Sequence, residues 1–293
     1  MKYINIIISH YRDRSSIFLF FAWIYLRLLK AVKFGFIPNE VDIKKIDIVI
    51  PTVSKDIVCL GKLIKSLRNV NQVINNVYII APSSRKIKEY CLANNLKFVD
   101  ENSVLGFGKD YINYSYGGED RSGWLFQQLL KLAADKFVEM DDYLAIDSDT
   151  VFVNKLSFIS NSKYIFYANE EWHSPYFVSF ENLFGSKAPT KFSLTSHMMI
   201  FNRNLLNGMK NDITSRTNLK WYDGYISSCS TRELSGISDY ETYANWVLLN
   251  YPNKAKIYPF YNRNSSRDIM EEVLEIESNK NRLHSVSFHS YLD

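Results

Sequence analysis

Tyr143-Leu-Ala-Ile-Asp147-Ser-Asp149-Thr-Val-Phe-Val153 is the stretch that decides how this chain is read. An apolar run ends in two carboxylates one residue apart, and a second apolar run follows. The first run has the length and composition of a buried strand. In an α/β sheet, the carboxyl end of such a strand is where site residues emerge. An extended chain there turns Asp147 and Asp149 to one side, because strand side chains alternate with period two. Two hard oxygen ligands on one side suit Mg²⁺ or Mn²⁺, with diphosphate oxygens filling the remaining positions. The competing reading is an acidic turn, since Asp is a common turn residue.

The elements around this stretch alternate. Ile46 to Ile50 predicts a short strand ending at Pro51-Thr52, and Ile57 to Leu67 a helix. Val77 to Ile80 predicts a strand, Ile87 to Asn94 a helix, and Lys97 to Val99 a short strand. That order is the signature of an α/β, Rossmann-type sheet, mostly parallel and flanked by helices. Trp124 to Val138 predicts the helix that feeds the acidic strand. Further on, Met198 to Phe201 predicts a strand, and Tyr240 to Leu249 and Met270 to Asn279 predict helices. No internal repeat or low-complexity linker interrupts the pattern. Residues 1–40 therefore form an appendage and residues 41–293 one domain.

With 293 residues, 46% of them hydrophobic, the chain is long enough to bury a full core. A net charge of +4 does not call for nucleic acid, and it fits a neighbourhood of anionic lipid or anionic substrate. Cys59, Cys91 and Cys229 lie far apart without Cys-x-x-Cys spacing, which reads as free thiols in a reducing, cytoplasmic compartment. Near the N-terminus, Ile17 to Leu29 is apolar apart from Arg27, with Arg12, Arg14, Lys30 and Lys33 around it. A spanning helix needs about 20 apolar residues, more than this run supplies. Nor is there a small-residue cleavage site of the signal-peptide kind. The segment predicts an amphipathic helix on an inner-membrane face, with Trp23 and Tyr25 at the interface and basic residues toward anionic headgroups. The competing reading is a helix packed on the domain or on a partner subunit.

Four segments together with Asp47-Ile-Val-Ile-Pro-Thr52 and His289 carry a resemblance. They are Ser122-Gly-Trp-Leu-Phe-Gln-Gln-Leu-Leu-Lys131, Tyr143 to Val153, Ser193-Leu-Thr-Ser-His197-Met and Ser238-Asp-Tyr-Glu241-Thr-Tyr. In order and spacing they resemble GT-A glycosyltransferases, and more narrowly a bacterial, poorly characterised group linked to surface polysaccharide synthesis. The resemblance covers residues 45 to 293.

The resemblance implies a GT-A-like enzyme that moves a sugar from a nucleotide donor, a UDP-sugar being favoured, to a glycan or lipid-linked glycan. Pro51, Thr52 and Val53 would hold the nucleotide, with Asp56 near base or ribose; Asp56 reads more readily as a helix cap. Asp147 and Asp149 would hold Mn²⁺ or Mg²⁺, which offsets charge on the leaving diphosphate. His289 would be the late third ligand, with His284 competing. Gln127 or Gln128, but not both, would face the donor. Lys131 and, with weaker support, Arg121 would meet phosphate. Glu241, or Asp239, would take the proton from the acceptor hydroxyl; both also read as acids placed at a helix start. His197 would bond sugar or sit buried. Trp172 and Trp221 are candidate sugar platforms, although lone aromatics usually pack. Two other readings compete with this one: a metal-dependent nucleotidyltransferase, and a non-catalytic membrane-surface scaffold. A phosphatase of the haloacid-dehalogenase type is disfavoured, because its nucleophile motif opens the fold and this one does not.

Overall fold

The structure, a computed structural model, describes residues 17–31, 41–169, 172–280 and 282–289. Arg12, Arg14 and Lys33 lie outside the described residues. Five strands make the central sheet: β1 (Lys45–Pro51), β2 (Val73–Ala81), β3 (Lys97–Asp100), β4 (Asp142–Ile146) and β5 (Met198–Asn202). Their order is β5-β4-β1-β2-β3. β1 runs parallel to β2 and β4, β2 runs parallel to β3, and β5 closes the edge antiparallel to β4. Helices Ile57–Ser66, Arg85–Ala93 and Ser122–Leu132 precede β2, β3 and β4 in turn. The expected class is therefore what is seen: mixed α/β, with a parallel-rich sheet flanked by helices.

The strands that centre the sheet are continuous apolar runs. Ile48, Val49 and Ile50 of β1 and Tyr143, Leu144, Ala145 and Ile146 of β4 are fully buried. A sheet covered on both faces demands such runs, whereas alternation marks a half-exposed one. β2 begins four residues earlier than its apolar core, because Asn75 and Asn76 look like a turn in sequence. In the fold, Asn75 Nδ2 and the Asn76 N–H donate to Asp47 Oδ1 at 3.0 and 3.1 Å. The helix expected over Trp124 to Val138 ends at Leu132, and Ala134–Lys136 forms a separate 3₁₀ turn. The hydroxyl of Tyr143 donates to Lys131 O at 2.8 Å and so occupies a last-turn carbonyl. Helices Ser174–Phe184, Arg203–Thr217 and Trp221–Ser227 gather around Asp239–Asn250.

A second sheet matters for the site. Thr150–Phe152 leaves β4 and pairs antiparallel with Ser285–Phe288, which pairs parallel with Asn262–Ser265. The Phe288 N–H donates to Asp149 O at 2.9 Å. This ladder carries the end of the chain, with His289, to the tip of β4.

The N-terminal helix Ile17–Ala31 packs against the domain through Leu26, which joins the main core; Trp23 is also buried. Ile17, Phe21, Tyr25 and Leu28 are each more than half exposed. The helix thus serves two apolar faces rather than one. Among the described residues, no helix is long and apolar enough to cross a membrane. All three cysteines are buried, and none forms a disulfide among the described residues.

Candidate active site

The chain turns sharply where β4 ends. The Thr150 N–H donates to Asp147 O at 3.1 Å, closing a turn over Asp147–Thr150. The expected extended path is therefore corrected: the turn sends the two carboxylates to different partners. Asp147 Oδ1 accepts from the Tyr240 hydroxyl at 2.9 Å and from Lys131 Nζ at 3.0 Å. Asp147 Oδ2 lies 3.5 Å from His197 Nδ1. Asp149 Oδ2 lies 2.9 Å from His289 Nδ1. Both carboxylates nevertheless line one cleft of about 410 Å³ at the carboxyl ends of the parallel strands.

Lys131 joins the two halves of this site. Its ammonium is 3.0 Å from Asp147 Oδ1 and 3.0 Å from Asp239 Oδ2, and it sits 4.0 Å from the centre of the Tyr240 ring. Only 3% of Lys131 is exposed. Burial alone would lower its pKa, but the two carboxylates outweigh burial and raise it. The carboxylates themselves respond in opposite senses. Burial raises the Asp147 carboxyl, yet Lys131 and His197 more than offset that and hold it well below the usual range. Asp239 has fewer donors, so burial pushes it up to about 6 despite Lys131. Asp239 is fixed by its own backbone, whose N–H donates to Gln128 Oε1 at 2.9 Å. Gln128 in turn accepts from the Tyr225 hydroxyl at 2.7 Å and donates to Ile237 O at 3.2 Å. Gln128 is thus a buried bracket; it lines the cleft together with Gln127, which reaches Pro51 O at 3.5 Å, so the expectation that only one of the two faces the site is corrected.

Glu241 is placed differently from expectation. It is 1% exposed and does not line the cleft. Its carboxylate accepts from Ser193 Oγ at 2.8 Å, the Leu194 N–H at 2.6 Å and Asn245 Nδ2 at 3.0 Å. Burial pushes it up to about 7 against those donors. These bonds brace the segment that delivers Thr195 and His197 to the cleft, so Glu241 supports the wall rather than facing an acceptor. His197 takes a left-handed backbone, φ 60°, unusual for a residue with a Cβ. Such strain persists where surrounding contacts enforce it.

The other expected residues divide. Asp56 and Arg121 line the cleft. Asp56 caps no helix with its side chain, and its Oδ1 accepts from Arg267 Nη2 at 2.7 Å. Arg121 Nε donates to Leu234 O at 2.8 Å and so holds the opposite wall. That wall also depends on Gly236, where an added Cβ would come within 2.2 Å of Ser230 O. Pro51 ends β1; Thr52 is buried and Val53 exposed, and none of the three lines the cleft. His284 is fully buried, stacked at 5.6 Å on Phe260 and 5.3 Å on Tyr261, and accepts from the Tyr261 N–H. Trp172 stacks on Phe177 at 3.6 Å and Trp221 lies beneath the Lys210 ammonium, both away from the cleft. Sequence reasoning missed Lys55, Tyr176, Tyr240 and Arg267. Tyr240 stood inside a quoted motif, whereas Arg267 sits in a polar stretch with no signal.

Among the described residues, no group of three His, Cys, Asp or Glu side chains is arranged to hold a metal. The trio Asp147, Asp149 and His289 is therefore not assembled, because Asp147 is engaged by Lys131 and Tyr240. Asp149 and His289 remain. Their 2.9 Å separation is about that of neighbouring ligand atoms around an octahedral ion with bonds of roughly 2.0–2.1 Å. Carboxylate with imidazole suits Mn²⁺ well and Mg²⁺ less well. The pair fits a divalent ion that takes its remaining ligands from phosphate and water.

Fold and cleft together define an α/β protein of the doubly wound class, with a charged site where its parallel strands end. The chain belongs to the family of unknown function DUF6492, which matches residues 43–279. No curated protein matches it. Its structural neighbours include mouse xyloside xylosyltransferase 1 in its apo form, at TM-score 0.47 and 11% identity, over 85% of this chain and 99% of that one. The apo WbbM bifunctional glycosyltransferase aligns at 0.49 and 13% identity, over 88% of this chain and 48% of its own, so this chain spans about half of it. The galactosyltransferase LgtC, with donor and acceptor sugar analogues, aligns at 0.45 and 8% identity, over 83% and 87%. At such identities these likenesses concern the path of the chain and say nothing of its substrates.

Proposed function

We infer that this protein is a glycosyltransferase that uses a nucleotide-sugar donor and a divalent cation. The observation that carries the reading is the cleft itself. It sets the Asp149–His289 pair beside Lys131, Arg267 and Lys55 at the end of β4. Carboxylate and imidazole hold a metal, and flanking cations receive the charge of a diphosphate. When bound, Mn²⁺ or Mg²⁺ supplies Lewis-acid stabilisation of the leaving nucleoside diphosphate. The side chains do the rest. Arg267, oriented by Asp56 and the Phe288 carbonyl, presents its guanidinium along the cleft. Asp239, lining the cleft with its carboxyl near neutral pH, accepts the proton of the acceptor hydroxyl. Glu241 keeps the wall that carries His197 in place.

The acceptor of this reading is a glycan or lipid-linked glycan of bacterial surface polysaccharide synthesis, met at the cytoplasmic face of a membrane. The exposed stripe Ile17, Phe21, Tyr25 and Leu28 supports that placement, since three- and four-residue steps put it on one helix face.

A panel of UDP-, GDP- and CDP-sugars, incubated with the full chain and Mn²⁺, tests the reading. Metal-dependent release of the nucleoside diphosphate from at least one donor is expected. Release of pyrophosphate from a nucleoside triphosphate, or no turnover of any donor, would overturn it.

A further inference from the structure

The geometry around Lys131 separates Asp147 from Asp149 in a way that the Asp-x-Asp pattern does not suggest. Asp147 Oδ1 already accepts two hydrogen bonds, at 2.9 Å from the Tyr240 hydroxyl and 3.0 Å from the Lys131 ammonium. An ammonium in that position also repels a dication placed beside the same carboxylate. Lys131 has little freedom to leave. Its second partner is Asp239 Oδ2 at 3.0 Å, the Tyr240 ring supports it at 4.0 Å, and it is almost wholly buried. Asp149 is held differently, at 2.9 Å from His289 on the other side of the turn.

We propose that Lys131 is a positioning residue that keeps Asp147 off the divalent cation, so the nucleotide-free protein binds the ion through Asp149 and His289 alone. The proposal rests on the transferase reading and adds an order of events to it. A diphosphate entering the cleft offers the Lys131 ammonium an anion in place of Asp147. Asp147 is then released from its partner and turns toward the ion. Metal affinity therefore rises with nucleotide for two reasons: phosphate oxygens join as ligands, and a protein carboxylate becomes available.

Mn²⁺ binding to the full chain, read from the loss of the free-ion electron paramagnetic resonance signal with and without UDP, tests this without any turnover. Without UDP, Asp149→Asn and His289→Ala are expected to weaken binding about 10-fold or more, and Asp147→Asn less than about 2-fold. With UDP, Asp147→Asn is expected to weaken binding about 10-fold. Lys131→Met is expected to tighten nucleotide-free binding about 10-fold, while Lys131→Arg leaves it unchanged. Circular dichroism checks folding, and if Lys131→Met does not fold, Asp147→Asn decides alone. Equal losses for Asp147→Asn and Asp149→Asn without UDP overturn the proposal while leaving the transferase reading intact. No Mn²⁺ binding by the unaltered chain, with or without UDP, overturns both.

Discussion

Two pairs of aspartates occupy opposite ends of one sheet, and the protein treats them in opposite ways. Asp47 in β1 and Asp142 at the start of β4 are fully buried. Asp47 accepts from the N–H groups of Asn76, Glu139 and Met140 and from Asn75 Nδ2, at 2.7–3.1 Å. Asp142 accepts from the Tyr164 hydroxyl at 3.0 Å and Asn202 Nδ2 at 2.7 Å, and pairs with Lys44. At the other end, Asp147 and Asp149 face a cleft, and each is held there by a nitrogen-bearing side chain, Lys131 for Asp147 and His289 for Asp149. Backbone donors are fixed by the path of the chain, so a carboxylate saturated by them, as Asp47 is, is architecture; Asp142 is held by side chains, but fully buried and away from the cleft. Side-chain cations are able to exchange one anion for another, so a carboxylate held by them in a cleft is available for chemistry.

The largest expected effect comes from exchanging the two ends. Asp149→Ala should lower metal-dependent donor turnover by about 10²–10³-fold, since a metal contributes several kcal/mol to such a transition state. Its urea midpoint should stay close to that of the unaltered chain. Asp47→Ala should do the reverse. It leaves the Glu139 and Met140 N–H groups, partly buried, without their acceptor, at a cost of about 1–3 kcal/mol. Turnover per folded molecule should hold. Urea unfolding and a donor-hydrolysis assay on both variants check this. A stable Asp47→Ala protein with lost turnover would break the comparison.

A smaller effect distinguishes the two carboxyls with raised pKa values. Asp239 acts as a base only when ionised. With its carboxyl at about 6, kcat/KM should fall about tenfold per pH unit below that and stay level above. Glu241→Gln should leave this acid limb in place, because Glu241 does not line the cleft. A limb that vanishes in Glu241→Gln would make Glu241 the base instead. Glu241 should show itself in stability. Its carboxyl lies at about 7 in the fold against 4.5 for an ordinary glutamate, so the folded state binds that proton more tightly than the unfolded one. The contribution is full below about pH 4.5 and is lost as pH rises through about 7. Melting temperatures of the unaltered chain and Glu241→Gln should diverge across that window.

Much of the fold was legible because parallel strands buried on both faces must be continuous apolar runs, and Ile48–Ile50 and Tyr143–Ile146 are such runs. The position of the site was legible for the same reason, since the carboxylates follow the run directly. The partners were not. Asp147 and Asp149 diverge because a turn begins at Asp147, and turn geometry is set by Thr150 joining a different sheet, a long-range event. Lys131 was visible as a cation on the right helix face, but its two-carboxylate clamp depends on Asp239, more than a hundred residues later. Glu241 looked like a base because its helix start was correctly placed. Which face of that helix meets the cleft is decided by Ser193 and the Leu194 N–H, which come from a distant segment that no local pattern announces. Arg267 reaches Asp56 across the sheet and left no trace in sequence at all.

The smallest catalytic effect is expected at the N-terminal helix, where the comparison recurs between two faces of one element. Leu26 is buried in the domain core and Trp23 is buried too, while Phe21 and Leu28 are more than half exposed. Arg27, exposed on the same helix, lies 5.4 Å from the centre of the Trp23 ring and supplies positive charge at that surface. If the exposed face meets anionic lipid, each large apolar side chain contributes on the order of 1.5–3 kcal/mol of transfer energy. Phe21→Glu or Leu28→Glu should then lower binding to vesicles containing phosphatidylglycerol by at least about tenfold, with donor hydrolysis in solution within about twofold of the unaltered chain. Leu26→Ala should act on stability instead, because it opens a cavity in the main core. Vesicle co-sedimentation beside urea unfolding separates the two faces. Should Phe21→Glu and Leu28→Glu sediment as the unaltered chain does, the exposed stripe has no lipid partner and the acceptor must reach the cleft from solution.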